Sequence, residues 1–146
     1  MSESTHGTII AVDDMPENLT LLSRILLNSG YKVHKFNNGA DAVIAAQTVL
    51  PDIILLDISM PDMDGFETCR RLKADERTRD IPVIFISALD GMDDKVKAFH
   101  VGGVDYILKP FEYEEVAARV IRILPSAGCA SSWNPQTSNW PPASKN

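Results

Sequence analysis

Cysteine, histidine and excess positive charge are all scarce in this chain, and each shortage closes off a class of function. Its two cysteines, Cys69 and Cys129, have neither the count of a secreted disulfide scaffold nor the spacing of a zinc site. A reducing, cytoplasmic setting is expected. His6, His34 and His100 are scattered, with no cysteine or second histidine at metal-ligand spacing, and none is expected to donate phosphate. Lys and Arg number 14 against 20 Asp and Glu, a formal charge of −6, so the basic footprint of a nucleic-acid binder is missing and no direct DNA contact is expected. No apolar run reaches the length of a membrane span, and Met1 to Gly7 carries neither a basic start nor an apolar core. The protein is expected to be soluble and unexported.

What is present reads as one ordinary α/β domain: 146 residues, 45% of them hydrophobic, are enough for a full core. Strand-length apolar runs alternate with stretches of helical period, five of each, as in repeated βαβ units. The strands are read at Thr8–Val12, Tyr31–Phe36, Asp52–Leu56, Pro82–Ile86 and Val104–Leu108. The first helix is placed at Pro16–Asn28, where Pro16 suits the opening turn, Leu19, Leu22, Ile25 and Leu26 form a stripe, and Gly30 is a stop. A short second helix follows the Asn37-Asn38-Gly39 turn and ends before Pro51; the others are placed at Phe66–Ala74, Asp93–Val101 and Glu112–Leu124. Glu112, Glu114 and Glu115 favour the positive end of the last helix, and Arg119 and Arg122 its negative end. Residues 1–7 read as an extension, 8–124 as the domain, and 125–146, rich in Ser, Asn and Pro, as a flexible tail, a linker or an engineered extension.

The chemistry sits where the apolar runs stop. Asp13 and Asp14 follow the first, Asp57 the third, Ser87 the fourth and Lys109 the fifth. Parallel strands buried on both faces align their carboxyl ends along one edge, where open α/β sheets bind ligands. Taken singly, each residue could be a helix cap or a turn; their joint delivery to one edge argues for a site. Two carboxylates about 4 Å apart repel by about 4 kcal/mol at an effective dielectric near 20, so three of them must raise a pKa or recruit a cation. Oxygen ligands without His or Cys suit Mg²⁺. Asp57 could then attack phosphorus while Lys109 and Ser87 hold the phosphoryl oxygens. Asp62-Met63-Asp64-Gly65 lacks the remaining ligands of a calcium loop and is read as a turn.

Val12-Asp13-Asp14, Asp57 followed by Met60-Pro61 and Asp64-Gly65, Ser87-Ala88, and Lys109-Pro110-Phe111 together resemble the receiver domain of a two-component response regulator, over about Thr8 to Leu124. The resemblance implies a flavodoxin-like five-stranded parallel sheet in the order 2-1-3-4-5, flanked by five helices. Members of this family also supply the general example of that strand order. It implies Asp57 as phosphoacceptor, with Mg²⁺ held by Asp14, Asp57 and the backbone carbonyl of Ser59, and by Asp13 through water. It further implies a cis Lys109-Pro110 bond, and a switch in which Ser87 and an inward-turning Tyr106 alter the surface of helix 4, strand 5 and helix 5. Met15, Ser59 and Leu89 flank the centre at positions that vary between such domains and tune loss of the phosphoryl group.

The partners implied are a sensor histidine kinase or histidine phosphotransfer domain, a second copy through helix 4, strand 5 and helix 5, and an unspecified output. The domain would be a signalling receiver that catalyses its own phosphorylation and dephosphorylation. A Mg²⁺-dependent phosphohydrolase passing through an aspartyl phosphate is the rival; it wants a further acid/base and a substrate cap, which the sequence does not show. A flavin or dinucleotide binder would need a Gly-rich loop after the first strand, and Asp13-Asp14-Met15-Pro16 stands there instead.

Overall fold

The computed structural model describes residues 7–88 and 91–123. The tail with Cys129, Trp133 and Trp140 lies outside them, as do Leu89 and Leu124. Ten elements alternate without exception: β1 Thr8–Val12, α1 Pro16–Asn28, β2 Lys32–Phe36, α2 Gly39–Val49, β3 Ile53–Asp57, α3 Gly65–Ala74, β4 Val83–Ser87, α4 Met92–His100, β5 Asp105–Leu108 and α5 Tyr113–Ile123. The strands form one sheet in the order β2-β1-β3-β4-β5, and every neighbouring pair is parallel. This is the order expected.

Side-chain alternation divides the core in two. Ile10, Val12, Ile54, Leu56, Val83 and Phe85 point to one face of the sheet and pack with Ala42 and Ala46 of α2, Phe66, Cys69 and Leu72 of α3, and Ala98 of α4. Ile9, Ala11, Ile53, Leu55, Ile84, Ile86 and Ile107 point to the other face, against Leu19, Leu22, Ile25 and Leu26 of α1 and Val116 and Val120 of α5. Both faces are covered, which is why the inner strands β1, β3 and β4 read as continuous apolar runs rather than alternating ones. No helix among the described residues is long and apolar enough to cross a membrane.

Several boundaries differ from the sequence expectation by one residue or a few, each for a local reason. Tyr31 belongs to the end of α1: its N–H donates to Leu26 O at 3.1 Å and that of Gly30, at φ +95°, to Leu27 O, a glycine-based helix stop. The Asn37-Asn38-Gly39 turn is the start of α2, because Asn38 Oδ1 accepts from Asp41 N at 2.8 Å. Pro82, lacking an N–H, stands outside β4 yet still accepts from Ile54 N. β3 and β4 each run one residue further than expected, so Asp57 and Ser87 are their last residues rather than the first beyond them. Helix α4 starts and stops one residue early, β5 begins at Asp105 rather than Val104, and α5 begins at Tyr113 rather than Glu112. The Lys109-Pro110 bond is cis, as expected.

The Asp62–Gly65 turn brings α3 hard against the end of β3. Asp64 caps the helix through Glu67 N at 2.9 Å, and Gly65 N donates to Ile58 O at 2.8 Å. A Cβ on Gly65 would press on the carbonyl oxygen of Asp57 and lie 2.8 Å from Ile58 Cα, so only glycine lets the helix start there without moving the strand end. Gly65→Ala should therefore cost about 1–3 kcal/mol in urea unfolding, a typical overpacking penalty; a change below about 0.5 kcal/mol would mean that the strand end moves aside freely.

Candidate functional site

The strand register brings the polar residues together. Val12 is aligned with Leu56, Asp57 with Ile86, and Ser87 with Leu108, so Asp13 and Asp57 follow at one level of the sheet edge and Ser87 and Lys109 one and two steps beyond. Backbone bonds continue the ladders past the strand ends: Asp13 N to Phe36 O at 3.1 Å, Ile58 N to Ile86 O at 3.2 Å and Lys109 N to Ser87 O at 2.8 Å. The site is thus fixed by sheet geometry rather than by mobile loops alone.

From β5, the Lys109 side chain reaches back across β4. Its Nζ lies 3.1 Å from Asp57 Oδ1, to which it donates a hydrogen bond, and 3.0 Å from Asp13 Oδ2. Asp13 and Asp57 are buried, and Lys109 is largely so. Asp13 Oδ1 accepts from Met15 N at 2.9 Å, which fixes the carboxylate plane. Asp13 Oδ2 is buried without a hydrogen-bond partner: the Lys109 ammonium is close enough to attract it but is not aligned to donate. Such an oxygen is expensive to leave in that state.

Oxygens of Asp13, Asp14 and Asp57 all lie within 4.8 Å of one another, with Asp14 exposed at the mouth. One ammonium faces three carboxylates. Burial, and next the charge of Asp13, push the Asp57 carboxyl from 3.8 up to about 6, with Lys109 opposing and Asp14 adding to the rise. Burial by itself disfavours the Lys109 ammonium, yet contact with Asp13 and Asp57 outweighs that and raises its pKa. A hard divalent cation fits this donor set: carboxylate oxygens of three residues converge, Asp13 holds a buried oxygen without a hydrogen-bond partner, and among the described residues no nitrogen or sulfur ligand stands beside them.

Residues 9–121 match the family of the response regulator receiver domain. The chain belongs to that family. It is 42% identical over 116 residues to the DNA-binding dual master transcriptional regulator RpaA of Synechocystis, covering 80% of this chain and 48% of RpaA. It is 45% identical over 112 residues to the response regulator PleD of Caulobacter vibrioides, covering 77% of this chain and 25% of PleD. This chain therefore spans about half or less of either relative. Among solved structures, the receiver domain of the sensor histidine kinase PA1611 of Pseudomonas aeruginosa, with a magnesium ion coordinated in its active-site cleft, superposes with a TM-score of 0.77 at 31% identity, covering 84% of this chain and 100% of that one.

In this receiver the residues marked from sequence occupy graded positions. Asp13, Asp14, Asp57 and Lys109 form one contact cluster. Ser87 is buried at the end of β4, directly below Lys109 in the ladder. Ser59 is exposed two residues beyond β3. Tyr106 is buried in the cluster that holds Phe85 and Ala98, not spread on an outer strand surface.

Asp105 went unmarked in the sequence and proves structurally central. Its buried carboxylate accepts from Tyr106 N at 2.8 Å and from Arg119 at 2.9 Å, with Arg122 at 3.7 Å. Arg119 and Arg122 thus hold α5 to β5 instead of serving only the helix dipole. An acid opening an apolar strand, with two arginines three apart on the next helix, was the available signal.

The linkage sign follows from Asp57. Its folded pKa lies above the ordinary value, so the folded state holds this proton more tightly, and stability from this group falls as pH rises from about 3.8 to about 6. Without divalent cations, Asp57→Asn should be more stable than the parent at pH 7, by a margin that shrinks toward pH 4 in urea titrations. A margin independent of pH would show that Asp57 is not the strained group.

Proposed function

We propose that this receiver takes a phosphoryl group from a phosphohistidine onto Asp57, with Mg²⁺ bound by Asp14, Asp57 and the Ser59 carbonyl and by Asp13 through water. The observation that carries the reading is the double approach of Lys109 Nζ to Asp57 and Asp13, at 3.1 and 3.0 Å, inside a cluster of three carboxylates. The magnesium in the PA1611 receiver, 31% identical to this chain, supports the choice of ion. When bound, that ion neutralises charge on the carboxylates and on the phosphoryl oxygens.

The chain's own residues then have distinct tasks. The ionised Asp57 carboxylate attacks phosphorus; an O–P bond forms, the P–N bond breaks, and imidazole protonated on its other nitrogen leaves neutral. Lys109 follows the charge: its ammonium already spans Asp57 and Asp13, and it transfers to a phosphoryl oxygen as that oxygen arrives. Ser87 supplies a hydroxyl from the adjacent strand end. The phosphoryl group carries about −1.5 to −2 charges, but Asp57 gives up its own on becoming an acyl phosphate, so the net gain beside β4 and β5 is about −0.5 to −1. Ser87 and the buried Tyr106 then stabilise one packing of α4, β5 and α5, which presents the changed surface to an output partner or a second copy. A sensor kinase or histidine phosphotransfer domain is the donor, and water attack on the same site returns the receiver to rest.

Incubation with Mg²⁺ and a small phosphodonor should add one phosphoryl group by intact mass, stable in acid and labile in base. Asp57→Asn and chelation of Mg²⁺ should each abolish it, and Lys109→Met should slow it by roughly 10²-fold, the usual cost of losing one charge-stabilising donor. Unchanged labelling of Asp57→Asn would place the acceptor elsewhere.

A further inference from the structure

Helix α2 has the composition of a buried helix and yet stands at the surface. Across Gly39–Val49 the one charged residue is Asp41, in the first turn. A helix apolar around most of its circumference ordinarily has neighbours on every side. α2 packs inward through Ala42 and Ala46, while Ile44 is 63% exposed, with Ala40 and Thr48 exposed beside it. These three stand four residues apart and form one ridge along the outer face. The polar side chains of the helix are engaged within the chain: Asn38 Nδ2 donates to Asp41 Oδ2 at 3.0 Å, Gln47 Nε2 to Asp75 Oδ2 at 3.0 Å, and Thr48 Oγ1 to Ile44 O at 3.5 Å. In each other helix a basic side chain stands exposed: Arg24 in α1, Arg71 in α3, Lys97 in α4 and Arg122 in α5.

The ridge is complementary to itself. Ile44 is its one bulky side chain, midway between the small Ala40 and Thr48. Two such ridges, related by a two-fold axis, close on a central pair of isoleucines with a small residue opposite a small residue on either side. Charge selects the antiparallel sense. It brings Asp41 and the positive end of each helix dipole to the C-terminal end of the other α2. There Gln47 is bonded to Asp75, and Asp75 holds Arg77 at 2.8 Å with the Arg77 side chain still 59% exposed. A parallel pairing would instead set Asp41 against Asp41 between two molecules that each carry a formal charge of −6. One face of an eleven-residue helix is a small contact, so the pairing is weak and reversible.

We infer that a second copy of this chain seats on the outer face of α2, the two helices antiparallel about a two-fold axis at Ile44. Because α2 lies over β1 and β2, at the opposite sheet edge from β5, the pairing leaves the surface of α4, β5 and α5 uncovered in both copies.

Sedimentation velocity on the full chain, without Mg²⁺ or phosphodonor, keeps the outcome separate from the phosphoacceptor reading. The average mass should rise from one chain toward two between roughly 10 µM and roughly 1 mM, the range of a weak reversible contact. Ile44→Glu, an exposed change whose fold is checked by far-UV circular dichroism, sets like charges against each other at the axis and should weaken association at least about tenfold. Val96→Glu, on the exposed face of α4, should leave it unchanged. A chain that stays monomeric throughout would overturn the proposal. So would association that survives Ile44→Glu, or association that Val96→Glu removes, which would move the contact to α4.

Discussion

One ammonium set between two buried carboxylates governs this molecule. Lys109 lies within about 3 Å of both Asp13 and Asp57, and everything near it follows from the charge it leaves over. A single cation cannot neutralise three carboxylates, so Asp57 is pushed toward protonation and Asp13 keeps an oxygen without a donor. Buried ion pairs of this kind add little to stability, because desolvation offsets most of the attraction. The cluster is better understood as a site held in readiness than as a fastening. A divalent cation is the addition that relieves it.

The scaffold supplies that readiness by keeping the strand ends in register. Asp13, Asp57, Ser87 and Lys109 are fixed by ladder hydrogen bonds that continue past the last paired residues. Gly65 lets α3 begin against the Asp57 carbonyl, so the turn after the phosphoacceptor strand is as constrained as the strand itself. On the far side, Asp105 ties Tyr106 and α5 to one another through Arg119. Charge added at Asp57 therefore acts on a rigid edge joined to a helix pair with few buried residues of its own: Ala98 in α4, Val116 and Val120 in α5. Motion is cheapest where burial is least.

Most of the fold could be read from the sequence because burial on both faces of a parallel sheet leaves unbroken apolar runs, and Ile53–Leu56 or Val83–Ile86 admit few other interpretations. The site was legible for the same reason: a polar residue ending such a run has one edge to occupy. What escaped was local or distant. Asn38 and Tyr31 look like turn and strand residues until their hydrogen bonds assign them to helix ends. Asp105 looks like an ordinary strand opener until α5, fourteen residues on, brings Arg119 to it. The two arginines three apart on α5 are the one hint of that pairing. Tyr106 was marked only through family resemblance, since a tyrosine on an edge strand is compatible with either an outward or a buried ring; the structure buries it.

The central claim is that the carboxylates on this sheet edge share one cation with Asp57 at its centre. Magnesium titration followed by backbone amide shifts tests it most directly. The account predicts one saturable ion per chain, the largest shifts at Asp13, Asp14, Asp57 and Lys109, and loss of that binding in Asp14→Asn. Shifts spread evenly over the acidic surface, or undiminished binding in Asp14→Asn, would contradict it.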